Sequence, residues 1–284
     1  MEIQAPAKIN LFLEVVGKRQ DGYHLLRSLM CCIGLYDTLH FEMGAAATTI
    51  ACDHPGVPAD DSNLAFRAAM LFNRTLAETT ALSPEHVAIH LTKRIPVGAG
   101  LGGGSSDAAA VLKHLNHHYQ HPLRRQTLHT LALALGADVP FFIEARPAMA
   151  TGVGEQLEPY AGLPPTEVVV VYPGFGMSTA EVFKNLNLRL TKCEKHLRYF
   201  PFKYGKFDMV RHLRNDLETV AIRQFPEILA IKKELLNQGA MGALMTGSGS
   251  AVFGLFDDER TGREAADALG RKARWQVFAT QLLV

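Results

Sequence analysis

An α+β fold is predicted for this 284-residue chain, and three observations predict it. Helix and strand patterns alternate without a regular strand–helix rhythm. The N-terminal run from Ile3 to Val15 is apolar at every odd position, the period-two mark of a strand. The length is generous for one core and suits two domains. The Pro/Gly-rich stretch "YAGLPPTE" is the best boundary, dividing the chain into 1–160 and 161–284.

The elements follow in order. The first strand turns its polar face through Gln4, Lys8, Asn10 and Glu14. Lys8 and Asn10 therefore point the same way, on the order of 7 Å apart along the strand. "KRQDGYH" is a turn broken at Asp21-Gly22. "DTLHFEM" and "TTIAC" are short strands. "SNLAFRAAMLFNRTLAE" is a helix with Ser62 or Asn63 as its cap. "HVAIHLTKRIP" returns to strand alternation and enters a glycine loop, after which Ala108 to Tyr119 is helical. "RRQTLHTLALALGADVP" is a helix closed by Gly136, with Asp138 just past its end and Pro140 blocking continuation. "PAMATGVGEQLEP" is strand and turn, and "EVVVVYPG" a continuous apolar strand. "DLETVAIRQFPEILAIKKELLNQGA" gives two helices broken at Pro226. "GALMTGSGSAVFGLF" is strand, glycine turn, strand. "RTGREAADALGRKA" is a helix, and a strand ends the chain.

Composition narrows the function classes. Hydrophobic residues make up 48% and charged residues 20%, the profile of a globular protein. A net charge of +1 gives no electrostatic case for nucleic acid or an anionic membrane. Small molecules are the expected partners. No apolar run approaches membrane-spanning length. Glu2 and the residues after it lack a secretory signal pattern. Cys31, Cys32, Cys52 and Cys193 show no CxxC spacing and read as reduced thiols. A cytoplasmic location is expected.

The segment "IPVGAGLGGGSSDAAAV" carries the chemistry. Gly98, Gly100 and Gly103 satisfy G-x-G-x-x-G formally, but no acid follows about twenty residues on to hold a ribose. The chain lacks G-x-x-x-x-G-K-[ST], and it lacks the HRD and DFG of protein kinases. Glycines let backbone N–H groups approach an anion closely. Ser105 and Ser106 add hydroxyls where a helix begins, and the helix N-terminus favours negative charge. Phosphate is the expected ligand; a flexible glycine turn with a serine cap is the alternative. His114 and His118 share an i,i+4 face, but no acid completes an H-E-x-x-H pattern. A solvated helix end is expected there rather than a metal site.

"PVGAGLGGGSSDAA" resembles the phosphate motif of the galactokinase–homoserine kinase–mevalonate kinase–phosphomevalonate kinase (GHMP) superfamily. "APAKINLFLEVVGKRQDGYHLLRS", "DSNLAFRAA", "LGADVPFF", "GVGE", "YPGFGMSTAEVF", "NDLE" and "MTGSGSAVFG" resemble its branch acting on a cytidine diphosphate-linked methylerythritol. Only the segment from about 187 to 214 matches nothing. The resemblance implies a two-domain α+β kinase with its active site in the interdomain cleft. It implies ATP as co-substrate, Mg²⁺, and phosphorylation of the polyol's 2-hydroxyl in the non-mevalonate route to isoprenoids.

The resemblance also implies roles. Lys8 and Asp138 match the catalytic pair. Asn63 and Lys93 match positions near the adenine. Pro96, Gly98, Gly100, Leu101, Gly102, Gly103, Gly104, Ser105 and Ser106 match the triphosphate loop. Asn10 and His24 would hydrogen-bond the cytosine edge, with Tyr23 and Phe183 sandwiching the ring. Thr179 is a polar substrate contact. Thr246, Gly247, Ser248 and Gly249 match the third family motif. No metal ligands are assigned. A monomer or homodimer without nucleic-acid or membrane partners is expected. A kinase for homoserine or mevalonate, a nucleotide-binding regulator without turnover, and an oxidoreductase are the alternatives.

Overall fold

The structure is a computed structural model that describes residues 1–186, 202, 206–272 and 274–284. Cys193 and most of the segment 187–214 lie outside the described residues.

The alternating N-terminal run forms β1 (Glu2–Lys18), which ends before the turn at Gly22. β2 (His24–Met43) is far longer than the seven residues that read as strand. Within its first half the run Leu29–Ile33 is apolar on both faces and, with Arg27 and Ser28 before it, buried, so it shows no period-two alternation. β3 (Thr49–Cys52), α1 (Leu64–Thr79) and β4 (Val87–Thr92) follow. α2 (Gly103–His118) begins five residues before the Ala108 start expected from the sequence. The glycines lower intrinsic helix propensity, yet Gly103 and Gly104 form the helix's first turn. Next come α3 (Arg125–Leu135), with Gly136 at its C-cap, and α4 (Val139–Glu144). β5 (Ala148–Thr151) and β6 (Gln156–Pro159) make a hairpin, and β7 (Glu167–Tyr172) is the valine strand. α5 (Thr179–Lys184), capped by the Ser178 hydroxyl, was not expected from the sequence. β8 (Arg214–Asn215) is followed by α6 (Glu218–Gln224) and α7 (Glu227–Asn237), the two helices that flank Pro226 as predicted. β9 (Gly242–Met245), β10 (Val252–Phe256), α8 (Glu259–Gly270) and β11 (Gln276–Leu283) complete the chain.

These elements pack into two units interleaved along the chain. The first comprises Met1–Ala7, Leu35–Val97 and Gly102–Ala145. In it the second half of β2 pairs antiparallel with β4, and β3 lies parallel to β4. α1 packs along α2, and α2 against α4. Ala108 and Ala109, fully buried on α2, keep that helix surface flat enough for close approach. Phe72, Leu112, Leu115 and Phe141 fill the core around them, and burying such side chains contributes about 1.5–3 kcal/mol each.

The second unit comprises Lys8–Gly34, Gly98–Leu101 and Arg146–Val284. Its antiparallel sheet runs β11-β7-β10-β9. Val168 to Val171 of β7 are fully buried, as a central strand covered on both faces requires. One core joins β7 and β10 to α6, α7 and α8 through Val169, Ile231, Leu235, Phe256 and Leu269. Among the described residues no helix is long and apolar enough to cross a membrane.

Candidate active site

The glycine loop adopts a backbone that only glycine tolerates well. Gly100 and Gly102 have φ of 79° and 74°, in the left-handed region that a Cβ disfavours. Gly102 is the N-cap of α2. The Ser106 N–H already donates to the Gly102 carbonyl at 2.9 Å. The free donors of the first turn are therefore those just ahead of it, at Gly102 to Ser105. These N–H groups, with the positive end of the helix dipole, form an anion cradle. The two serines part company here. Ser105 is half-buried, whereas Ser106 is 1% exposed and its Oγ has no hydrogen-bond partner.

Within the second unit, the first residues of the loop pack backbone to backbone against the β9–β10 turn. A Cβ at Gly100 would collide with the Thr246 carbonyl oxygen, and one at Gly247 would lie 2.8 Å from that of Gly100. Ala251 N–H donates to the Ala99 carbonyl at 3.1 Å. No side chain fits at either glycine, which explains the repeated glycine in "GAG" and "TGSG". Asn215 fixes the turn from below. Its Nδ2 donates to the carbonyls of Met245 and Gly247, both at 2.8 Å.

Lys8 reaches the same turn from β1. Its ammonium donates to Asn10 Oδ1 at 2.6 Å and lies 3.3 Å from where a Gly247 Cβ would stand. Asn10 Nδ2 donates to Ser28 Oγ at 2.8 Å, and the Asn10 N–H donates to Thr246 Oγ1 at 3.1 Å. The shared face of Lys8 and Asn10, read from alternation, thus becomes a direct contact. Asn10 spends both ends of its amide inside this buried network.

In the first unit Lys93 is held between two carboxylates. Its ammonium donates to Asp37 and, at 2.9 Å, to Asp107 Oδ2, and its side chain is 4% exposed. Asp37 Oδ1 also accepts the N–H groups of Arg94 at 2.7 Å and Ile95 at 2.9 Å. A Cβ at Gly103 would meet Lys93 Nζ at 3.1 Å, so this cluster abuts the first residue of α2. Burial pushes the Asp107 carboxyl up to about 7; the Lys93 ammonium opposes the rise and Asp37 adds to it. Lys93 itself is shifted up. Burial works against its charge, but the attraction of Asp107 and Asp37 outweighs that.

The remaining predicted residues fall as follows. Asp138 is half-buried at the N-cap of α4 and its carboxylate does not cap that helix. Asn63 caps α1, accepting from Ala65 N–H at 2.9 Å while its Nδ2 donates to the Pro58 carbonyl at 2.7 Å. Pro96 is half-buried beside the loop. Tyr23 is 65% exposed. The His24 ring stacks on Phe183, centroids 5.0 Å apart and 21° between planes. Burial, and then the charge of Lys18, lowers the His24 pKa, which favours the neutral ring that can both donate and accept. Thr179 Oγ1 shares a hydrogen bond with Ser248 Oγ at 2.8 Å. His114 departs from expectation. It is buried and stacked on Phe41 at 4.0 Å, not solvated. No group of His, Cys, Asp or Glu among the described residues could hold a metal ion.

Sequence reasoning missed Asp37, Asp107, Ser28 and Asn215. Asp107 and Asn215 stand inside the quoted motifs "GGGSSD" and "NDLE", and for Asp107 the acid just after the glycine run was the available signal. Ser28 lies in the part of β2 that showed no alternation and Asp37 opens the strand "DTLHFEM", and nothing marked either for the site.

Comparison with known proteins fits this geometry. Residues 63–146 match the GHMP kinases N terminal domain and residues 207–274 the GHMP kinases C terminal family. A 4-diphosphocytidyl-2-C-methyl-D-erythritol kinase of Syntrophotalea carbinolica is 46% identical over 279 residues, covering 98% of this chain and 97% of the relative. One from Geobacter sp. strain M21 is 41% identical, covering 100% and 99%. A crystal structure of 4-(cytidine 5'-diphospho)-2C-methyl-D-erythritol kinase superposes with a TM-score of 0.80 at 39% identity, covering 99% of both chains.

Proposed function

The chain belongs to the 4-diphosphocytidyl-2-C-methyl-D-erythritol kinases of the GHMP superfamily, and from that premise we propose how it works. It transfers the terminal phosphoryl group of ATP to the 2-hydroxyl of 4-diphosphocytidyl-2-C-methyl-D-erythritol, in the non-mevalonate route to isoprenoid precursors. The observation that carries the reading is the left-handed glycine loop feeding its free N–H groups into the start of α2. Such a cradle suits the phosphates of a nucleotide.

Roles follow from chemistry. Asp138 accepts or orients the substrate hydroxyl proton, and Lys8 offsets charge on the transferring phosphoryl group. If the transition state is loose, positioning by these groups outweighs full deprotonation. Gly98, Gly100 and Leu101 to Ser106 form the triphosphate loop, with Pro96 beside it. Asn63 and Lys93 stand on the adenine side. Their internal bonds support a role in shaping that pocket. Thr246 and Gly247 line the phosphate region, with Lys8 close to Gly247. Tyr23 and Phe183 sandwich the cytosine, while His24, Asn10 and Thr179 supply polar contacts. The half-buried Ser105 hydroxyl, a hard oxygen, would face a Mg²⁺ carried by the nucleotide, and that ion would supply neutralisation of phosphate charge.

The division into 1–160 and 161–284 completes the proposal as a division along the sequence, whereas the compact units interleave across it, with 8–34, 98–101 and 146–160 packing with the C-terminal residues. The two matched family segments, 63–146 and 207–274, each fall on one side of that division. A cytoplasmic monomer or homodimer without a nucleic-acid partner suits the net charge of +1.

The test is ADP release with Mg-ATP and the cytidine substrate, run beside homoserine and mevalonate. Turnover with the cytidine substrate alone is expected. Turnover with another alcohol would keep the phosphate loop and overturn the cytosine pocket.

A further inference from the structure

A cavity of about 680 Å³ lies wholly among residues of the first unit, a volume typical of small-molecule sites. Of the residues given roles above, only Ser106 lines it. Its inner wall is apolar, built from Ile3, Leu128, Phe142 and Ile143. Two buried polar side chains without hydrogen-bond partners interrupt that wall. His114 is 4% exposed with neither ring nitrogen hydrogen-bonded, and Ser106 is 1% exposed with its Oγ unpaired. Phe41 stacks on the His114 ring and fixes its plane. Unpaired polar atoms in an apolar interior are costly, and a ligand that pairs them recovers the loss.

Ser106, Ala110, Lys113, His114 and His117 follow one face of α2 along the cavity. The eleven residue-to-residue steps from Ser106 to His117 make a lane about 16 Å long. At its outer end Lys113, His117 and Arg124 are exposed. The carboxylate nearby, Glu144, is taken by Arg125 at 2.7 Å and His129 at 3.2 Å. The charge of Lys113 and Arg124 is thus left for an incoming anion.

We propose that this cavity binds a small amphiphilic anion. The apolar body lies along the Ile3–Phe142 wall and past the His114 ring, and the anionic head sits between Lys113 and Arg124. Ser106 aside, no residue lining this site is given a role in the kinase reaction, so its test reads binding and not turnover.

Calorimetry of the full chain with hexyl phosphate, at saturating Mg-ATP to occupy the phosphate loop, tests the site. One saturable site is expected, with inorganic phosphate and hexanol each binding at least tenfold more weakly. Lys113→Ala with Arg124→Ala, both exposed positions, should weaken hexyl phosphate at least tenfold. Ala110→Leu, which fills the lane, should abolish binding, with thermal melting to report its folding. If that variant fails to fold, the surface double variant decides. No saturable heat, equal binding of inorganic phosphate, or unchanged affinity in the double variant would overturn the proposal.

Discussion

Lys93 and Lys8 both sink their ammonium groups into this protein, each in its own network. Lys93 lies between Asp37 and Asp107 in the first unit. Lys8, in the second, donates to the neutral amide oxygen of Asn10, whose other groups go to Ser28 and Thr246. An ammonium locked by two carboxylates is a strut. Its charge is compensated where it stands, and its removal leaves two acids in a low-dielectric interior. At Lys8 the amide oxygen of Asn10 fixes the direction of the ammonium, and that amide is itself held by Ser28 and Thr246. In the proposed mechanism Lys93 builds the site and Lys8 acts in it.

The largest break should come on the Lys8 side. Lys8→Met and Asp138→Asn are each expected to lower kcat by about 10²–10⁴-fold. ATP affinity by calorimetry and the melting temperature should stay near those of the parent. An undiminished rate in Asp138→Asn would remove its catalytic role.

The second break runs the other way. Lys93→Met should cost about 3–5 kcal/mol of stability, the usual penalty for removing one partner of a buried ion pair. The urea midpoint should fall without a change in slope. A stable Lys93→Met with only a raised KM for ATP would make Lys93 a ligand contact instead of a strut.

How much of this was legible depended on periodicity and on whether a residue's job is local. β1 was readable because one face meets a core and the other a polar network, so alternation survives. The first half of β2 was not, because burial on both faces erases the pattern. The start of α2 was misplaced because glycine propensity argues against a helix that tertiary packing and the loop impose. In the site, the glycines and the pairing of Lys8 with Asn10 followed from spacing alone. The acids on Lys93 did not, since Asp37 and Asp107 are brought together over 70 residues by folding, and no local rule connects them. His114 misled for the same reason. Its helix reads as polar near the end, but Phe41, on a strand distant in sequence, covers it.

A milder break of the Lys8 side comes from Tyr23. It is largely exposed, so Tyr23→Leu should leave stability unchanged. Loss of one stacking face should raise KM for the cytidine substrate about tenfold, within the ~1–3 kcal/mol of base stacking. kcat should change less. An unaltered KM would move the base away from this ring.

The smallest effect sharpens the Lys93 side. Asp107 has its pKa raised from 3.8 to about 7, first by burial, against the pull of Lys93. A group whose folded pKa lies above its unfolded value binds its proton more tightly in the folded state. Its stabilising contribution is full below the unfolded pKa and fades as pH rises through about 7. The parent should therefore lose about 1 kcal/mol between pH 6 and pH 7 relative to Asp107→Asn, and the difference should level off above pH 8. Urea midpoints of the two proteins at pH 6, 7 and 8 measure it. A gap that does not change with pH would mean that the Lys93 attraction wins and that Asp107 stays ionised throughout. The strut would then be a fully charged triad, and its strength would respond to the loss of Lys93 but not to protons.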